Sequence, residues 1–168
     1  MLQSTQFVLR LPTTTNIVST IVTDDLDRRI VDALVQDGRR PFVKIAHDLH
    51  VSEATVRQRV AKLTAEGVMQ ITAVTNPLKL GYEVICMLGL SVEPAQAKAA
   101  AEVLAGFDEV TYLIACTGRY DLLAEVTCRS GDHLLEFMNE RLGEVPGLQA
   151  SESFGYLSVL KESYRNSD

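Results

Sequence analysis

The amino-acid sequence predicts an α+β chain, a winged helix-turn-helix followed by a βαββαβ sheet domain, and three observations carry that reading. Between Asp24 and Gly67, apolar residues recur at helical spacing in three short segments. From Tyr82 onward, strand-like segments rich in apolar residues alternate with helical ones. Charge divides at the same boundary. Residues 24–80 carry nine Lys+Arg against eight Asp+Glu, and residues 81–168 carry six against fourteen.

The composition sets the frame for these elements. A length of 168 residues suits one large domain or two small ones, at roughly 100–150 residues each. With 46% hydrophobic and 23% charged residues the chain reads as an ordinary globular protein. No apolar run approaches the ~18 residues of a membrane helix, so no membrane span is expected. The first residues lack a positively charged start followed by an uninterrupted apolar stretch, and a cytosolic protein is expected. Three cysteines, Cys86, Cys116 and Cys128, are an odd number without CxxC spacing. They predict neither a disulfide framework nor a structural zinc site, but reduced, buried thiols on three strands.

Residues 1–23 mix Ser, Thr and Asn with one apolar run, Phe7 to Leu11, and read as a mobile arm. A native arm, a strand that pairs on a partner and a non-native extension all fit that composition. The helix-turn-helix region is placed at 24–73. Leu26, Ile30, Ala33 and Leu34 fall at i, i+4, i+7 and i+8, one face of a helix opened by acidic residues and closed by Gly38. After Pro41, Val43 to Leu49 gives a second helix of about two turns, with Ile45, Ala46 and Leu49 inward. His50-Val51-Ser52 is a tight connection, and Ser52 is a strong N-cap for a third helix whose Val56, Val60 and Leu63 line one side. Gly67 stops it. Val68 to Thr75, rich in Val, Ile and Thr, predicts a strand leading out through a linker at 74–81.

Helices with a three-residue turn between the last two make the arrangement that lays the final helix in the DNA major groove. With Val56, Val60 and Leu63 inward, the opposite face offers Glu53, Ala54, Thr55, Arg57, Gln58 and Lys62 to base edges and phosphates. Arg59 lies beside the core stripe, within reach of either phosphate or protein. Residues 39–62 as a whole hold Arg39, Arg40, Lys44, Arg57, Arg59 and Lys62 against Asp48 and Glu53, a basic patch suited to phosphate. The candidate DNA-contact residues are Arg39, Ser52, Glu53, Ala54, Thr55, Arg57, Gln58, Arg59 and Lys62.

The second domain, 82–168, predicts strands at Tyr82–Val92, Phe107–Ala115, Tyr120–Cys128 and Gln149–Leu160. Helices are expected at Pro94–Leu104 and His133–Leu142. This βαββαβ order is ferredoxin-like, an antiparallel sheet with both helices on one face and the other face free for pairing or a ligand. A free face bearing Ile85, Met87 and Leu123 predicts an interface.

Several stretches together resemble a known family. Leu26-Asp27-Arg28-Arg29-Ile30, Asp37-Gly38-Arg39, Val51-Ser52-Glu53-Ala54-Thr55-Val56, Arg59-Val60-Ala61-Lys62-Leu63 and Glu66-Gly67-Val68 resemble the Lrp/AsnC feast-or-famine regulators. Pro77 and Gly81 resemble that family's exit from its DNA-binding domain, and Thr117-Gly118-Arg119-Tyr120-Asp121 resembles the hairpin of its effector (RAM-type) domain. Where the family commonly has glycine in the helix-turn-helix turn, this chain has His50, which must then adopt positive φ.

The resemblance implies a double-stranded DNA operator as partner. It also implies a homodimer assembling to a tetramer or octamer, and a small-molecule effector, an amino acid by expectation, at the seam between dimers. For the effector it implies Thr117, Gly118, Arg119, Tyr120 and Asp121, with Ser151 and Ser153 from one face of the last strand. A zwitterion needs an acceptor for its ammonium and donors for its carboxylate, which Asp121 and the Gly118 N–H can supply. The alternative is that the segment is simply a hairpin, with Asp121 taking backbone hydrogen bonds.

No cofactor, metal or catalytic arrangement is expected. His47 and His50 are three apart but have no evident third ligand, and His133 is expected to face solvent. Siroheme decarboxylases resemble the same family in both domains, so an enzyme of this architecture is the second hypothesis. The second half offers it a poor set of groups, six cations and the lone His133.

Overall fold

The computed structural model describes residues 23–161. The segment read as a mobile arm therefore lies outside the described residues, apart from Thr23. The chain divides between Ala73 and Val74 into two compact units, each with its own core.

The first unit is three helices, α1 (Asp25–Gln36), α2 (Phe42–Leu49) and α3 (Glu53–Ala65). Asp24 caps α1 through a reciprocal box: its carboxylate accepts from the Asp27 N–H, and Asp27 accepts from the Asp24 N–H. Ile30, Leu34, Ile45, Ala46, Val56 and Val60 form the core, at the positions that helical spacing predicts. His50 closes α2 with φ 55°, the left-handed turn its place in the sequence requires. Ser52 then caps α3 by accepting from the Thr55 N–H at 3.0 Å.

No strand forms over Val68–Thr75 among the described residues, contrary to expectation. The N–H groups of Val68 and Met69 turn back to the Leu63 carbonyl and close α3. Beyond them Ile71 and Val74 are exposed. The segment has strand-like composition but, among the described residues, no neighbouring strand to share a ladder with, and β-propensity alone does not hold a strand. A short 3-10 turn at Pro77–Leu80 follows, capped by Asn76.

The second unit contains β1 (Val84–Val92), α4 (Ala97–Leu104), β2 (Val110–Ala115), β3 (Leu122–Cys128), α5 (Gly131–Glu136) and β4 (Leu148–Gly155). The sheet order is β2-β3-β1-β4, with every pair antiparallel. The α+β class and the βαββαβ order stand as predicted, while the ends of several elements move. Pro94–Gln96 is a 3-10 turn ahead of α4, because proline supplies no N–H to a longer helix. After α5 the chain passes through a π turn, Phe137–Arg141, and a 3-10 turn, Leu142–Glu144. The last strand stops at Gly155, five residues short of the predicted Leu160. Leu157 and Leu160 are almost fully exposed, so the apolar run that suggested a longer strand packs on nothing among the described residues.

Both helices cover one sheet face. Cys86, Leu88, Leu90 and Val92 of β1 and Leu122, Ala124, Val126 and Cys128 of β3 pack there with Ala100, Leu104, Phe137 and Leu142. Period two sends the alternate residues, Ile85, Met87 and Gly89 with Leu123 and Glu125, to the opposite face. Cys116, predicted on a strand and buried, falls just past β2 and is only partly buried.

Candidate DNA-contact face and effector hairpin

The outer face of α3 presents Glu53, Ala54, Arg57, Gln58 and Lys62 to solvent, opposite the buried Val56, Val60 and Leu63. Thr55 is half-buried, and its hydroxyl lies 2.8 Å from that of Ser52. Arg57 pairs with Glu53 one turn earlier, and its guanidinium carbon sits 5.5 Å from the centroid of the Phe42 ring. Arg39 is exposed, and its backbone N–H donates to Asp37 at 2.9 Å.

Arg59 has a different place. Its guanidinium donates to both Asp24 and Asp27 at the start of α1, the latter at 3.0 Å. Of the two destinations open to it in the sequence, phosphate or protein, the geometry assigns protein. Asp27 is almost completely buried, and a buried carboxylate must be paired or strongly hydrogen-bonded. The backbone N–H of Asp27 and then Arg59 hold the Asp24 carboxyl below its usual range, while Asp24 and Asp27 hold Arg59 above its own. On the patch's other flank, Arg40 pairs with Asp48, whose carboxyl is lowered first by His47 and then by Arg40.

In the second unit the turn between β2 and β3 closes through the Cys116 N–H donating to the Asp121 carbonyl at 3.0 Å. Gly118 adopts φ 133°, where a side chain would be strained. Asp121 carries two structural bonds: its N–H donates to the Leu90 carbonyl at 3.0 Å, and its Oδ2 accepts from the Val92 N–H at 2.9 Å. The second bond lies where the β1–β4 register shifts.

The hairpin folds over the helix-free sheet face. The Tyr120 ring lies on Gly89, edge-on to Phe154 with ring centroids 6.2 Å apart, and its hydroxyl donates to Glu152. Arg119 lies over the Tyr120 ring and reaches Glu152 at 3.3 Å. Ser151 and Ser153 stand across from Leu90 and Leu88, whereas Glu152 and Phe154 stand across from Gly89 and Met87. The two serines therefore point to the face opposite Tyr120, and one chain does not bring them to the hairpin's side chains.

Family models match both units: an AsnC-type helix-turn-helix domain over residues 24–64 and an Lrp/AsnC ligand binding domain over 85–166. The chain belongs to the Lrp/AsnC family. An HTH-type transcriptional regulator of Pyrococcus furiosus is 39% identical over 142 residues, covering 84% of this chain and 96% of that protein. The structure of AsnC from E. coli matches this Lrp/AsnC chain with TM-score 0.75 at 28% identity, covering 86% of it and 99% of AsnC. A Neisseria meningitidis transcriptional regulator in complex with L-Met shares the fold at TM-score 0.73 and 22% identity, covering 85% and 95%. The protein is thus a transcriptional regulator of Lrp/AsnC type with a ligand-binding domain. No helix among its described residues is long and apolar enough to cross a membrane.

Several candidates have partners that no sequence motif marks. Gly89, Glu152 and Phe154 seat the hairpin of this Lrp/AsnC regulator, yet they lie about 30 residues or more from Tyr120 in sequence. Only strand register joins them. The second helix begins at Phe42, one residue before the predicted start, and nothing in the sequence aims that ring at Arg57. His133, expected to face solvent, is half-buried with Nε2 3.1 Å from Glu109, and its Nδ1 accepts from the Arg129 N–H.

Proposed function

We propose that this regulator binds a specific DNA operator through the outer face of α3 and responds to a small metabolite, with amino acids the first class to test. The observation that carries the DNA reading is the exposed row Arg57, Gln58 and Lys62 on a helix that Arg59 fastens to α1. A reading element needs a rigid seat, and the Arg59 pairs supply one. Ser52, Glu53, Ala54 and Thr55 form the first turn of that face, and Arg39 adds a cation outside it. Arg59 itself positions the helix.

The effector reading places an amino acid near Thr117, Gly118, Arg119, Tyr120 and Asp121. The Asp121 oxygen not bonded to Val92 would accept from an ammonium group, and Arg119 would meet a carboxylate. Ser151 and Ser153 join the site only if a second copy supplies them, which fits assembly of dimers into tetramers or octamers. The L-Met bound to a regulator of the same fold supports the ligand class. The chain acts in the cytoplasm as a regulator, with no chemistry of its own.

The test is fluorescence anisotropy of the full chain against DNA from upstream of its own gene and against scrambled DNA, with a panel of amino acids. Tighter binding to the upstream DNA by ~10³-fold or more, shifted by an amino acid, is expected. Asp121→Asn keeps an acceptor for the Val92 N–H and removes the charge. It should leave effector-free DNA binding intact and abolish the amino-acid response. Equal loss of DNA binding in Asp121→Asn and Arg57→Ala would overturn the division of labour.

A further inference from the structure

We propose that Arg57 reads a guanine in the operator and that Phe42 and Glu53 are positioning residues that aim it. This rests on the DNA-binding reading above and adds the base and the device that selects it.

Three of the cations in the patch at 39–62 carry carboxylate partners among the described residues: Arg40, Arg57 and Arg59. Arg40 and Arg59 have side chains only 31% exposed; Arg59 joins α3 to the start of α1, and Arg40 ties the connection before α2 to the end of that helix. Arg57 is 66% exposed and pairs with a residue on its own solvent-facing row, so the bond fastens no element to another. It is also held by the Phe42 ring at the first residue of α2, at 5.5 Å. An exposed arginine restrained from two sides, by a carboxylate at its edge and an aromatic ring at its face, keeps one orientation while its remaining N–H donors face outward.

That orientation matters to one kind of target. A phosphate is met from many directions and gains from an unpaired cation, whereas Glu53 beside Arg57 repels phosphate. Guanine presents O6 and N7 side by side, and a fixed guanidinium fork donates to both. Glu53 then faces no penalty, because the cytosine amine in the major groove donates to a carboxylate. Arg57 and Glu53 together match a G·C pair, and Phe42 sets the plane in which the fork arrives.

The experiment selects binding sites for the full-length chain from a randomised duplex library, then measures anisotropy on the selected site with each base pair changed in turn. The expected result is one G·C position per half-site whose replacement costs about 5–150-fold, the range of a bidentate contact. Arg57→Ala and Arg57→Lys should lose that preference and keep the others, since lysine retains the charge without the fork. Phe42→Leu preserves apolar packing and removes the π face, and Glu53→Ala removes the carboxylate. Each should weaken the preference at the same position only, an effect that general loosening of the fold would not give. If Phe42→Leu does not fold by circular dichroism, Glu53→Ala carries the positioning test. A uniform loss across all sequences in Arg57→Ala, with the salt slope reduced by about 1, would mean a phosphate contact and overturn the assignment. An unchanged preference in Phe42→Leu or Glu53→Ala would overturn that residue's positioning role. If the wild-type chain enriches no sequence at all, the DNA-reading function fails, and this inference with it.

Discussion

Replacing Gly89 with alanine tests whether the hairpin at 116–121 is seated on the sheet or merely lies near it. A Cβ built at Gly89 falls 2.6 Å from Cδ2 and Cε2 of Tyr120 and 2.8 Å from Cγ. Normal carbon contacts begin near ~3.5 Å, so the ring must retreat by about 1 Å. The base of the ring is struck as well as one edge, and a rotation of the ring alone does not relieve the clash. Retreat sacrifices the edge-on contact with Phe154, worth about 0.5–1.5 kcal/mol, and strains the hydroxyl bond to Glu152, worth about 1.5 kcal/mol for a charged acceptor. Alanine in a strand interior recovers about 0.5–1 kcal/mol over glycine. The net expectation is a loss of about 1–2.5 kcal/mol, within the ~1–3 kcal/mol range for overpacked sites. Urea unfolding followed by circular dichroism measures it, and a double-mutant cycle isolates the cause. With Tyr120→Ala in the background the clash is gone, and Gly89→Ala should become neutral or stabilising. If Gly89→Ala costs the same in both backgrounds, the hairpin is not seated where the geometry puts it.

Other expectations follow from charge, thiols and salt. The folded state holds the Asp24 carboxyl below its ordinary value through the Asp27 N–H and Arg59, so the unfolded chain binds more protons as pH falls from about 5. Stability from this group is present above its unfolded pKa and lost as pH drops through the folded one. Asp24→Asn should therefore flatten the acid limb of the thermal unfolding profile. Burial pushes the Cys128 thiol up to about 11 and raises Cys86 as well, and both are packed in the core. A thiol reagent at pH 8 should label Cys116 first and the other two only as the unit opens, and fast labelling of all three would refute the packing. Arg39, Lys44 and Lys62 have no carboxylate partner among the described residues. If those three alone meet phosphate, log Kobs should fall against log salt with a slope of about −3 per protomer, against about −5 if all six patch cations did.

The fold was legible wherever one physical rule decided a residue's place. Helical spacing put Ile30, Leu34, Ile45, Val56 and Val60 in one core, and period two divided Cys86, Leu88 and Leu90 from Ile85, Met87 and Gly89. The positive φ at His50 was legible through the family resemblance, which commonly has glycine in that turn. Long-range pairing decided the rest. Val68–Thr75 has the residues of a strand and, among the described residues, no partner to make it one. The family resemblance groups Ser151 and Ser153 with the hairpin, and spacing shows that they share a face but not which face Tyr120 covers. Register, which a single strand does not encode, put Glu152 and Phe154 there instead.

Arg57 and Arg59 show how far a charge count can mislead about a binding surface. Two residues apart on α3, both add one unit to the basic patch. A rotation of about 200° along the helix separates them. Arg59 falls beside Val56 and Val60, where the buried Asp27 needs a cation, and its charge is used to fasten α3 to α1. Arg57 falls on the outer row, where Glu53 cancels much of its charge but fixes its direction. Half of the patch's six cations, Arg39, Lys44 and Lys62, are then free of carboxylates among the described residues and available to phosphate, so long-range attraction draws on fewer charges than the sequence suggests. The same pairing gives the helix a rigid seat and one arginine a defined aim. A surface built this way trades electrostatic pull for discrimination between bases, which is the property a regulator needs when nearly every competing site in a genome carries the same phosphates.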